Sequence, residues 1–90
     1  MAHTMKNRKK LLSRVHRLQG QLAAVAVALE DEGECYKILQ TLSSCRGALN
    51  GLMGEIVEGH IREHVVASKN TKDAASAGEE TIEILKSFWK

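Results

Sequence analysis

The chain has 90 residues, 43% of them apolar and 27% charged, the balance of one small globular domain spanning residues 1–90 rather than of a disordered segment. A domain of this size buries a modest core, which disfavours an enzyme with a deep substrate cavity and favours oligomers. With no proline and three aromatics, Tyr36, Phe88 and Trp89, the composition suits long helices held by aliphatic seams and disfavours a β-sandwich.

The first predicted helix covers about residues 5–30. Its apolar residues Leu11, Val15, Leu18, Leu22, Val25 and Leu29 recur in the alternating four-and-three spacing of a coiled-coil seam. Glu30-Asp31-Glu32-Gly33 ends it, with Gly33 expected to take the left-handed turn. The second helix is expected over about 34–67, where Ile38, Leu42, Cys45, Leu49, Leu52 and Ile56 repeat the same spacing. Residues 68–73 lack periodicity and read as a connector. A short third helix, about 75–89, offers Ile82, Leu85 and Phe88 or Trp89 as its inward face. The fold class is therefore all-α. Two long helices form a hairpin whose open apolar face asks for a second hairpin, giving an antiparallel four-helix-bundle dimer.

Charge is unevenly placed. Residues 1–29 hold six basic side chains (Lys6, Arg8, Lys9, Lys10, Arg14, Arg17) and no acid, a net +6. Residues 30–90 hold seven basic against eleven acidic, a net −4. Lys6, Lys10, Arg14 and Arg17 form a stripe on one side of the first helix, beside its seam. Such a stripe suits the phosphates of duplex DNA, read through backbone contacts and shape; the competing reading is a solvated helix flank. No aromatic platform for single strands and no helix-turn-helix accompany it.

Six side chains have metal-binding chemistry outside the carboxylates: His3, His16, Cys35, Cys45, His60 and His64. His60 and His64 lie one above the other at i, i+4. Cys35 falls on the same side of an ideal helix, yet ~37 Å away along its axis, so the three can meet only across an antiparallel dimer. Thiolate with imidazoles suits nickel, cobalt, zinc or copper, and not magnesium or calcium. Cys45 lies in the seam and is expected in the core. His60-Ile61-Arg62-Glu63-His64 also matches the H-x-x-E-H of some zinc proteases, but a chain this short is poorly sized for a cleft and third ligand, so no enzyme is expected. Cys35 and Cys45, ~15 Å apart on one helix, cannot pair within the chain, which points to a reducing, cytoplasmic setting. No apolar run approaches the ~18 residues of a membrane span, and no secretory signal is visible.

Arg46-Gly47-Ala48-Leu49-Asn50-Gly51-Leu52-Met53, followed by Glu55 and His60, resembles the signature of the CsoR/RcnR family of small helical repressors. Arg14-Val15 and Arg17-Leu18-Gln19-Gly20-Gln21 resemble its first-helix motif, and Glu34-Cys35 with Ile38-Leu39-Gln40 the start of its second. The resemblance spans nearly the whole chain and is weakest from about 66 to 80. It implies hairpin dimers pairing into a tetramer, operator DNA held by basic helix surfaces, and an inducer at the dimer interface that releases the DNA. On that pattern Arg14, Arg17 and Arg46 lie at DNA, with Lys10 added from the charge stripe.

The sensing residues differ between branches. Copper sensors of the family carry a cysteine where this chain has His64. The nickel/cobalt branch (RcnR) carries the set present here as His3, Cys35, His60 and His64, which makes Ni2+ or Co2+ the expected inducer, with Zn2+ compatible. A metal efflux gene is the implied target. The formaldehyde branch (FrmR) is as similar in the helices and is the alternative, acting through Cys35. It typically has a proline after the initiator Met and an acid at the position of His64, where this chain has Ala2 and His64. Removal of the initiator Met ahead of Ala2 would free an amine beside His3 as a further nitrogen ligand.

Overall fold

The computed structural model describes the backbone of residues 2–89 and the side chains of residues 7–89. Three helices run in order, α1 (Ala2–Glu30), α2 (Cys35–Ile61) and α3 (Thr71–Phe88), with a five-residue π-helical turn (Arg62–Val66) continuing α2. The fold is all-helical, as the periodicity requires. None of the described helices is long and apolar enough to cross a membrane.

The α1–α2 turn corrects the expectation at Gly33. The left-handed residue is Glu32, with φ 54°, and no glycine has positive φ. The Gly33 N–H donates to Ala28 O at 2.6 Å and the Glu32 N–H to Leu29 O at 3.4 Å, the paired bonds of a Schellman cap. Gly33 is needed for closeness instead: a Cβ there would stand 3.0 Å from Ala28 O and 3.1 Å from Ala28 Cβ.

The two seams are real, and each faces two ways. Residues seven apart point inward: Leu18 and Val25 on α1, Cys45, Leu52 and Gly59 on α2, all buried, with Leu11 and Ile38 half-buried at the ends. Leu18, Cys45 and Leu52 form the centre of the core, with Leu11, Val15 and Ala48 packed around them. The alternate positions, Leu22, Leu29, Leu42, Leu49 and Ile56, stay exposed at 40–63%. Cys45, as expected, is in the core, its Sγ donating to Gln21 Oε1 at 3.7 Å.

Beyond Ile61 the continuous helix expected to residue 67 gives way to the π turn, closed by the Ala67 N–H to Arg62 O bond of 2.9 Å, an i→i+5 span. α3 starts at Thr71, four residues before the expected start. Asn70 caps it, its Oδ1 accepting from the Lys72 N–H at 2.8 Å and the Asp73 N–H at 3.3 Å, so the connector shrinks to residues 67–70. The inward face of α3 also differs from expectation. Ala77 and Thr81 are buried, while Ile82 is 47% and Trp89 72% exposed; Leu85 and Phe88 are half-buried. Small residues let α3 lie close against the π turn and the end of α2.

The protomer is a slab of 55 × 30 × 15 Å with a radius of gyration of 17.2 Å, against ~12 Å for a compact chain of this length. No large side chain among the described residues is fully buried. One layer of helices cannot enclose a core.

Candidate metal centre and nucleic-acid surface

His60 ends α2 and His64 sits inside the π turn. Their rings lie 4.8 Å apart between centroids and tilt by 46°, so the two imidazoles are neighbours despite the change of helix type. His60 is half-buried and His64 exposed. The His60 Nε2 is buried with no hydrogen-bond partner. Buried polar nitrogens are normally satisfied, and a ring nitrogen with no protein partner is open to a ligand such as a metal ion. The pair opens onto a cleft of about 400 Å³ between the π turn and α3, whose far wall carries Asp73, Ser76 and Glu80.

Cys35 is the first residue of α2 and is exposed, with a free thiol. It stands ~37 Å from His60 along the helix axis, as the spacing requires. Among the described residues no group of three or more His, Cys, Asp or Glu side chains is placed to hold a metal. The protomer therefore brings together two of the four expected ligands and leaves Cys35 at the opposite end. His3, like Lys6, has its side chain outside the described residues.

The basic residues fall on both long helices. Lys10 and Arg17 are exposed on α1, and Arg46 is exposed on α2 beside the buried Cys45. Because Cys45 meets Gln21, one turn beyond Arg17, Arg46 stands level with that end of the stripe. Arg14 differs from the others. Its Nη1 lies 2.9 Å from Glu55 Oε2, with side-chain exposures of 33% and 60%. Solvent screening limits such a pair to ~1 kcal/mol of stability or less. The other guanidinium nitrogen, Nη2, lies over Gly51, 2.8 Å from where a Cβ would be. Sequence reasoning placed Arg14 at DNA but missed these two partners. Folding the chain about the turn at 31–34 lays Arg14 beside Gly51 and Glu55, so hairpin register was the signal that could have found them.

The chain is similar to known proteins along most of its length. The profile of the family "metal-sensitive transcriptional repressor" matches residues 7–87. A Serratia marcescens protein described as uncharacterized, from the bioA 5′ region, is 44% identical over the whole of both chains. The transcriptional repressor RcnR of Citrobacter koseri is 36% identical over the whole of both chains. RcnR of Salmonella typhimurium is 40% identical over 96% of this chain and 92% of its own. Among solved structures, a glutamate-to-histidine variant of the formaldehyde-responsive regulator FrmR from Salmonella enterica serovar Typhimurium superposes with a TM-score of 0.84 at 38% identity, covering 92% of this chain and 94% of that one. The matched family is one of transcriptional repressors and not of enzymes, which leaves the H-x-x-E-H pattern as two paired histidines and an intervening acid. On helix topology, signature residues and full-length similarity together, the chain belongs to the CsoR/RcnR family of metal-sensitive transcriptional repressors.

Proposed function

We propose that this protein is a nickel- or cobalt-responsive repressor that lets go of its operator when metal binds. The observation that carries the reading is the half-site: two adjacent imidazoles, one with a buried, unpartnered Nε2, on the helix whose other end carries an exposed Cys35. An antiparallel second copy would set Cys35 of one protomer beside His60 and His64 of the other, at both ends of a symmetric dimer. His3 would complete the set, with the amine of Ala2 as an additional nitrogen. A donor set of thiolate and several imidazoles suits nickel and cobalt, accommodates zinc, and is unsuited to hard cations. Repressors named RcnR, the branch whose ligand set this chain resembles, are among its relatives.

The open seam of Leu22, Leu29, Leu42, Leu49 and Ile56 supplies the surface for dimerisation, and pairing of dimers gives the tetramer. Lys10, Arg14, Arg17 and Arg46 would then hold operator phosphates in the cytoplasm. His3 lies on the same arm as Lys6, Arg8, Lys9 and Lys10. Engaging His3 therefore reorients basic charge at the DNA, for a coupling of ~1–3 kcal/mol between inducer and operator. A metal efflux gene is the fitting target.

A second reading is release by formaldehyde. The FrmR neighbour and the exposed thiol of Cys35 favour it, while His64, in place of the acid typical of that branch, favours metal. Cys35→Ala tests the site that both readings use. An operator duplex is first selected from a random pool by the protein itself. The variant is expected to bind that duplex as tightly as the parent and to lose all release by inducer; loss of DNA binding instead would remove Cys35 from the sensing role.

A further inference from the structure

Arg14 reaches across the hairpin from α1 to α2, where Glu55 holds one guanidinium nitrogen at 2.9 Å and Gly51, one turn earlier, lies under the other. A Cβ at position 51 would stand 2.8 Å from Nη2, closer than side-chain carbons approach any heavy atom without displacement. A side chain at position 51 would therefore make the guanidinium shift from its present place against α2. The ion pair is too exposed to serve mainly as a brace for the hairpin. Gly51 is also in the interior of α2, where glycine weakens a helix relative to alanine.

We infer that Gly51 and Glu55 are positioning residues for DNA binding: together they form a seat that favours one placement of the Arg14 guanidinium against α2 and leaves its remaining donors for a phosphate. The inference rests on the proposed role of Arg14 at operator DNA and adds two residues of α2 to it. Arginine in water loses considerable side-chain freedom when it grips a phosphate. Glu55 and Gly51 impose that order before DNA arrives, so less is lost on binding. Because the seat is on α2 and Arg14 on α1, the orientation of Arg14 also follows the packing of the two helices. A change in that packing would reach the DNA surface through this contact.

The test is a double-mutant cycle on the full-length protein, read by fluorescence anisotropy with the self-selected duplex. Arg14→Ala is expected to weaken binding about tenfold or more, the loss of a charge-assisted contact in each bound protomer. Gly51→Ala keeps every charge and improves helix propensity. It is expected to raise or preserve the thermal midpoint while weakening operator binding several-fold, and to add nothing in the Arg14→Ala background. Glu55→Gln is expected to weaken binding in the parent. In the Arg14→Ala background it should leave affinity unchanged or tighten it, since there it only removes an anion near DNA. Gly54→Ala, at a glycine with nothing within 4 Å of its would-be Cβ, is the control and should bind as the parent does. Weakening by Arg14→Ala with parental binding by Gly51→Ala, or equal effects of Gly51→Ala with and without Arg14, would overturn the seat while leaving Arg14 at DNA. Parental binding by Arg14→Ala would overturn both.

Discussion

Glu32 adopts φ 54° at the one position of the interhelical turn where the chain must turn left-handed to close the Schellman bonds. A side chain there costs ~1–2 kcal/mol relative to a relaxed backbone, and the glycine that would relieve it stands one residue later, at Gly33, where it is needed for the approach to Ala28. Glu32→Gly should therefore stabilise the protein by about 0.5–1 kcal/mol, the relief being partly offset by greater freedom in the unfolded chain. Urea denaturation at matched protein concentration reads the change; a loss of stability would show that Glu32 makes a contact worth more than its backbone strain. The sequence carried the break but not which residue bears the strain, because an acidic run followed by glycine makes glycine the default left-handed residue. The candidate ligands were legible, since Cys35, His60 and His64 stand out by chemistry and spacing alone. Gly51 was not, since a glycine's role depends on what lies above it across the hairpin.

At the scale of elements, the four-and-three spacing of α1 and α2 carried the helix type and most of each helix's span, and the short turn between them the antiparallel pairing. The spacing could not say which half of each seam turns inward, because both halves are apolar. The π turn was illegible for a different reason. Ile61-Arg62-Glu63-His64-Val65 is compatible with an ordinary α-helix, and nothing local demands the wider turn. α3 begins inside the stretch that lacks periodicity because a cap needs none: Asn70 alone can start a helix. Its inward face escapes an apolar pattern because it is built from Ala77 and Thr81, which are small, and not from Ile82. Asn70 satisfies two otherwise orphaned N–H groups, at Lys72 and Asp73. Asn70→Ala should cost about 1 kcal/mol and speed amide exchange selectively in the first turn of α3, leaving α1 and α2 protected. Uniform acceleration across all three helices would instead mean that α3 unfolds only with the whole protein.

The whole molecule is a flat hairpin with one helix folded against its end, 15 Å thick, and its core is half a core. Leu42, Leu49 and Ile56 form a line at seven-residue spacing on the open face of α2, exposed at 40%, 50% and 47%. Burying such a line against its copy is the strongest reason for this chain to associate, each aliphatic side chain contributing ~1.5–3 kcal/mol when fully removed from water. Leu49→Glu places like charges at the centre of that contact and should shift sedimentation at micromolar concentration from an oligomer to the 9.9 kDa chain. An unchanged mass would move the association surface elsewhere. The same association is what the proposed metal centre would require, since Cys35 and the histidine pair lie at opposite ends of α2 and could meet only between two copies.

The most direct measurement is anisotropy of the self-selected operator duplex with untagged protein, titrated with nickel, cobalt, zinc, copper(I) or formaldehyde. Release by nickel or cobalt at up to one metal per protomer, abolished by His64→Ala, is the expected result. Release by formaldehyde with those metals inert would contradict it, leave Cys35 as the sensing residue, and reduce His60 and His64 to bystanders.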